Sequence, residues 1–398
     1  MSRSCTIVAD VLLDGESAEP VTTPVVEVVD GVIRAVGTSH RSVPRSGRVL
    51  DYRGCSLAPG LIDSHAHLAL RPDLPAPDAI AFVQHGATAD VVATMRTSAR
   101  AALASGITMI RDCGSPGRTA MLLRDEPDPA GHLPRLIVSG RPVTTQRGHC
   151  HWMGLIAGSA AELRSAVRDL HRDGADFVKV MATGGMMTPG SDPYAAQYSA
   201  EALGQLVTEA HARGMRVAAH ALSAEGILAA VEAGVDTIEH FATITSARQD
   251  YDLSLAAAIQ AAGIVVGVTA HHSLRELLIS DDLQQIRARL APHRALREAG
   301  VRMVVHSDAG TPGTRFEDFA QSVEIFMHGM QVPVPAAIAA ATGDAATALG
   351  IDQNTGTVRP GKQADLIIVD GPLDRDIRSL RRPVAVIKGG RQIAARIQ

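Results

Sequence analysis

The sequence predicts an α/β protein: a (β/α)8 (TIM) barrel carrying a small β-sandwich module built from both chain termini. Three observations lead there. Apolar strand-like runs alternate with Ala-rich helical stretches from about Leu61 to Gly350, the pattern of a parallel sheet. Eight such runs occur, which favours a closed barrel over an open doubly wound sheet. Finally, both ends of the chain are β-rich and unlike the middle. With 398 residues and 41.7 kDa, a barrel of roughly 250 residues leaves enough chain for an accessory module.

The first element is residues 1–57, read as the N-terminal part of the module. Val25–Val36 consists of two apolar runs joined by Asp30-Gly31, a two-residue hairpin signal. The barrel is expected over 58–350. Its strands are placed at Gly60–Ile62, Ile107–Arg111, Arg135–Ser139, Phe177–Met181, Val217–Ala219, Thr237–Ile238, Ile264–Val268 and Val301–Val305. Gly106, Gly174, Gly214, Gly234, Gly263 and Gly300 stand where helices should end before the next strand. Residues 351–398 complete the module, with strands at Asp365–Val369 and Val384–Ile387 and a Gly389-Gly390 turn. Pairing the two ends would cover edges that otherwise invite aggregation.

Composition sets limits. The net charge is −4 with dispersed Lys and Arg, so no basic stripe for nucleic acid is present. Mean hydropathy is +0.08, yet no apolar run approaches the ~18 residues needed to cross a bilayer. No signal-like apolar segment opens the chain, and the expectation is a cytoplasmic protein. Cys5, Cys55, Cys113 and Cys150 form no CxxC pair, which argues against a disulfide framework or a thiolate zinc site. The expected partner is a small-molecule substrate, with neither nucleic acid nor membrane. The apolar balance leaves room for a homo-oligomer.

Chemistry is expected where polar residues interrupt the strand ends, because only the C-terminal rim of a barrel gathers side chains from many strands. His65 and His67 follow strand 1 and project to one side of an extended backbone, as two neutral imidazoles gripping one ion would. Lys179 lies in the apolar run Phe-Val-Lys-Val-Met, where an ammonium is costly. Either it is a paired core lysine, or CO₂ converts it to a carbamate whose two oxygens bridge two cations. His220 and His240 close successive strands and could hold a second ion. Asp308 fits a weak ligand that takes a proton from water whose pKa a divalent cation has lowered; capping its own loop is the alternative.

The stretches LAPGLIDSHAHL, FVKVMATGGMMTPGSDP, VAAHA, AGVDTIEH, HSDAG and GTVRPGKQADLIIVD together resemble the amidohydrolase superfamily, in its binuclear subtype with a carboxylated lysine. The resemblance is nearest the cluster of Xaa-Pro and Xaa-Arg dipeptidases, with imidazolonepropionase as a neighbour. It implies that His65 and His67 bind the first metal, that Lys179 bridges, that His220 and His240 bind the second, and that Asp308 is ligand and general base. The implied reaction is C–N hydrolysis of an amide or peptide-like substrate by a hydroxide held between two divalent ions. Zinc is the expected metal, with manganese or iron as substitutes. Ring opening or carbamate and urea hydrolysis is the alternative, and a silent binding protein should have lost ligands.

Two departures bear on the substrate. Ala221 and Leu222 follow His220 where a second histidine is common, and His306 stands where a small residue is usual. His306 is either a supporting partner, a substrate contact or a core histidine. The segment Gln146-Arg-Gly-His149-Cys-His151-Trp152 resembles a GHCH loop that implies substrate contacts from His149 and His151, a structural loop being the alternative. Trp152 could wall the pocket or be core. Arg147 and Tyr198 are candidates for holding a substrate carboxylate.

Overall fold

A computed structural model describes residues 4–38, 47–242 and 255–395. Eight parallel strands form the barrel: β1 Leu61–Ala66, β2 Ile107–Asp112, β3 Arg135–Val138, β4 Phe177–Met181, β5 Arg216–Ala221, β6 Thr237–His240, β7 Val265–Thr269 and β8 Met303–His306. Neighbours pair in parallel from β1 to β3, with register shifts along β1–β2, and from β4 to β8. Two seams close the ring. At one, the Asp176 N–H donates to the Val138 carbonyl (2.8 Å), and Val143, just past β3, pairs with Val180 of β4. At the other, Ala66 bridges Ala309, and the Asp308 N–H donates to the His65 carbonyl at 3.0 Å.

The strand runs read from sequence therefore stand, with ends displaced by a few residues. One displacement matters: β1 continues through His65, so His65 is a strand residue and only His67 follows the strand. Helices pack outside the barrel. Ala160–Asp173 begins in a capping box between Ser159 and Glu162 and stops at Gly174, whose φ of 91° a side chain would resist. Ala224–Ala233 starts at Ser223, whose side chain accepts from the Gly226 N–H, and stops at Gly234 with φ 74°.

The termini meet in one eight-stranded sheet. Its order is Arg391–Ala395, Pro383–Lys388, Leu366–Asp370, Arg48–Pro59, Ser4–Leu12, Val25–Val29 and Val32–Gly37, with Val21–Thr22 added beside Ser4–Leu12. Asp30 and Gly31 both have positive φ, as the hairpin requires. The expected sandwich is made by this single sheet folding over. The Val32 end reaches Gln363, and Ile7, Val26, Ile33, Leu57, Leu366 and Ile387 share one apolar core. Along Leu366–Asp370, Leu366 and Ile368 face that core while Ile367 and Val369 join the barrel's core, the period-2 alternation of a strand. Arg135 of β3 adds an ion pair to Asp365 at 3.0 Å. No helix among the described residues is long and apolar enough to cross a membrane.

Candidate metal centre

The C-terminal ends of β1, β5, β6 and β8 bring four imidazoles and a carboxylate together. His65 Nε2 lies 3.3 Å from His67 Nε2 and 3.5 Å from Asp308 Oδ1, and His67 Nε2 lies 3.3 Å from the same oxygen. These ligand atoms sit within 4.8 Å of one another. The His240 ring is 5.0 Å from His65 and 4.7 Å from His220. Two of the five bend the backbone to get there. His240 has φ 71° and Asp308 φ 58°, left-handed values that are costly for a residue with a side chain and that gather at functional sites. Asp63 supports the arrangement from below, accepting from the Ser307 N–H at 3.2 Å and from the Ser307 hydroxyl, which ties β1 to β8. Burial pushes its carboxyl up to about 7 against those hydrogen bonds.

Each imidazole that has a fixed partner on one ring nitrogen keeps the other open. Glu239 Oε2 lies 3.2 Å from His65 Nδ1, the Gly184 carbonyl 3.0 Å from His220 Nε2, and the Thr269 hydroxyl 2.7 Å from His240 Nδ1. Burial holds His65, His220 and His240 well below the usual histidine range. They are neutral, the form that offers a lone pair to a metal. Burial would raise the Asp308 carboxyl, but its hydrogen bond with His67 and the favourable electrostatics of the facing His65, His67 and His306 rings outweigh that and hold it below the carboxylate range. Asp308 is more open than either histidine beside it, its side chain 18% exposed against 1% for His65 and 8% for His67, so an incoming molecule can meet it.

Lys179 is 0% exposed, and its Nζ has no hydrogen-bond partner among the described residues. Its charge bears on His65, His220 and His240 alike, and its strand pairs with the one that carries His220. A free ammonium without an acceptor suits such a place poorly. The donor set of neutral imidazoles, one carboxylate and a lysine open to derivatisation fits divalent cations.

The remaining candidates separate. His149 is buried, with its ring 4.6 Å from that of His220. Thr188 Oγ1 accepts from the Cys150 N–H (2.9 Å) and the Trp152 indole N–H (3.2 Å), so its own hydroxyl proton points to His149 Nδ1 at 3.0 Å. His149 consequently carries its proton on Nε2. Gln197 fastens the same loop, accepting from the His149 N–H at 3.1 Å and donating to the Met181 and Thr183 carbonyls. His151 is half-buried with Nδ1 on the Gly148 carbonyl at 2.9 Å. Arg147 is exposed, and no hydrogen bond among the described residues joins it to the cluster. Trp152 packs in the barrel core while bracing Thr188.

Two candidate substrate contacts need correcting. Tyr198 is buried in the barrel core, and its hydroxyl donates to the Ala157 carbonyl at 2.8 Å, so it is not available for a substrate carboxylate. His306 is 0% exposed with Nε2 3.3 Å from Glu239 Oε2; it lies beneath the cluster, a supporting position. Glu239, Arg111, Thr188 and Thr269 went unnoticed in the sequence. Arg111 in ITMIRD and Glu239 in TIEH were nevertheless visible as charges inside short strands, where an unpaired charge is not tolerated.

The sequence model of the amidohydrolase family matches residues 56–393. The chain belongs to the amidohydrolase family. It is thus a hydrolase of carbon–nitrogen bonds, in a family whose members generally use a divalent metal. This amidohydrolase is 27% identical over 422 aligned residues to ochratoxinase of Aspergillus niger, covering 97% of this chain and 85% of that protein. To imidazolonepropionase of Salinispora tropica it is 25% identical, covering 87% and 85%. In fold it resembles a solved Xaa-Pro dipeptidase with methionine in its active site, with a TM-score of 0.84, 24% identity and coverage of 98% and 99%.

Proposed function

We propose that this amidohydrolase cleaves the amide bond of a dipeptide or N-acyl amino acid, using two divalent cations and a carbamate on Lys179. The observation that carries this reading is the fully buried Nζ of Lys179, without a hydrogen-bond partner among the described residues, on the strand paired with that of His220. Addition of the neutral amine to CO₂ forms the N–C bond and releases one proton. The resulting anion answers both the burial penalty and the need for a bridging ligand. His65 and His67 would hold one cation with Asp308 as a further ligand, and His220 and His240 the other. Such cations, zinc being the best match to this donor set, polarise a carbonyl and lower the pKa of water towards about 7.

The chain's own residues supply the rest. Asp308 is ionised and reachable, so it accepts a proton from the attacking water and returns it to the leaving nitrogen. His149 presents an Nε2–H that donates to a substrate carbonyl or carboxylate oxygen, with His151 beside it in the loop. Dipeptide substrates are suggested by the likeness to the Xaa-Pro dipeptidase. The imidazolonepropionase relative supports ring opening as the second reading.

Asp308→Asn should keep its metal near stoichiometric while turnover falls about 10²- to 10⁴-fold, the usual share of a general base. Metal analysis and rates on a panel of dipeptides and N-acyl amino acids, with zinc- and manganese-loaded protein, check this. Undiminished turnover in Asp308→Asn would remove Asp308 from the mechanism, and one ion per chain would favour ring opening.

A further inference from the structure

Glu239 is buried on β6 with four partners, two on each oxygen. Oε1 accepts from the Arg111 guanidinium at 2.6 Å and from the Thr237 hydroxyl at 2.5 Å. Oε2 faces His65 Nδ1 at 3.2 Å and His306 Nε2 at 3.3 Å. Arg111 is itself fixed, donating from Nε to the Ser64 carbonyl at 2.5 Å and from Nη1 to Thr237 Oγ1 at 3.2 Å, with its guanidinium carbon 5.3 Å from the centre of the Phe177 ring. A paired carboxylate only accepts hydrogen bonds. His65 must then carry its proton on Nδ1, which turns the lone pair of Nε2 towards His67 and Asp308.

We infer that Glu239, held by Arg111, is a positioning residue that sets the tautomer of His65 and thereby makes it a metal ligand. This rests on the reading of His65 as a ligand given above. The atoms of His65, Glu239 and His306 also lie close enough to share an ion of their own. Such an ion would sit beside the Arg111 guanidinium and would need the nitrogen of His65 that faces away from the cluster, so the hydrogen-bonded arrangement fits these four groups better. Gly267 of β7 makes room for it: a Cβ there would lie 2.6 Å from His306 Nε2 and 2.8 Å from Glu239 Oε2.

The inference makes a specific demand on glutamine at this position. Arg111 has only donors, so the single amide oxygen of Glu239→Gln must turn to Arg111 and Thr237. Its NH₂ then faces His65, which has to accept at Nδ1 and move its proton to Nε2, closing the ligand. Zinc affinity, measured on the full-length protein by competition with a chromophoric chelator, should fall about 10- to 100-fold, the range found when a ligand's supporting partner is lost. Arg111→Met combined with Glu239→Gln frees the amide to flip, and should bind zinc more tightly than Glu239→Gln alone. Undiminished zinc affinity in Glu239→Gln, or a double variant weaker than the single one, overturns the assignment. His65→Ala separates the two levels. If it binds zinc like the wild type, the metal reading itself fails; if it loses zinc while Glu239→Gln does not, only the positioning role fails. A measurement on the wild type needs no charge-altered variant. In its ¹⁵N-histidine spectrum, the resonance missing from His65→Ala should be a protonated Nδ1, and a protonated Nε2 would overturn the proposal.

Discussion

The two sides of the barrel mouth use the same side chain but hold it by different means. On the β1–β8 side, His65 leans on the buried Arg111–Glu239 pair, and Asp308 stands beside both histidines. Across the mouth, His220 and His240 lean on a carbonyl and a hydroxyl, from Gly184 and Thr269. A charged support aligns its partner strongly, but breaking one by removing a partner costs about 3–5 kcal/mol because a buried charge is left behind. A neutral support is worth about 1 kcal/mol. The first side should therefore be the stiffer and the less tolerant of substitution.

The charge of Lys179 bears on histidines of both sides, and its replacement should have the largest effect. Lys179→Ala is expected to lose bound metal from both sides and with it essentially all turnover, with partial recovery when a short-chain carboxylic acid is added. Metal content and rate with and without the acid check this; retention of both ions would end the bridging role. Gly267→Ala sharpens the comparison by crowding only the charged support. It should destabilise the fold by about 1–3 kcal/mol, as overpacking does, read from the denaturant midpoint. Thr269→Ala removes only the hydroxyl on His240 and should cost about 1 kcal/mol, with a loss of zinc affinity smaller than that of Glu239→Gln. An equal loss would show that the two supports do not differ.

The barrel was legible because its strands are buried on both faces and read as short apolar runs, as Val265–Val268 and Met303–Val305 do. The candidate ligands were legible for the same reason, being polar residues inside such runs, as Lys179 is, or where they end. Their supports were not, because each pairing joins distant segments: Arg111 and Glu239 lie 128 residues apart, and His149 and Thr188 lie 39 apart. Gly267 carried a usable signal, since a glycine inside a strand marks a close approach. Tyr198 misled because an aromatic hydroxyl in a loop reads as free until its acceptor, here a backbone carbonyl, is known.

The strand Arg48–Pro59 finds one neighbour in Ser4–Leu12, close at hand, and the other in Leu366–Asp370. The Ser56 hydroxyl, for instance, donates to a carbonyl 315 residues further along. During synthesis that flank stays bare until Leu366–Asp370 has left the ribosome, roughly 15–60 s later at about 5–20 residues per second. A nascent chain thus carries an open β edge past a barrel that is already assembling, and slowing translation after the barrel codons should increase its capture by chaperones.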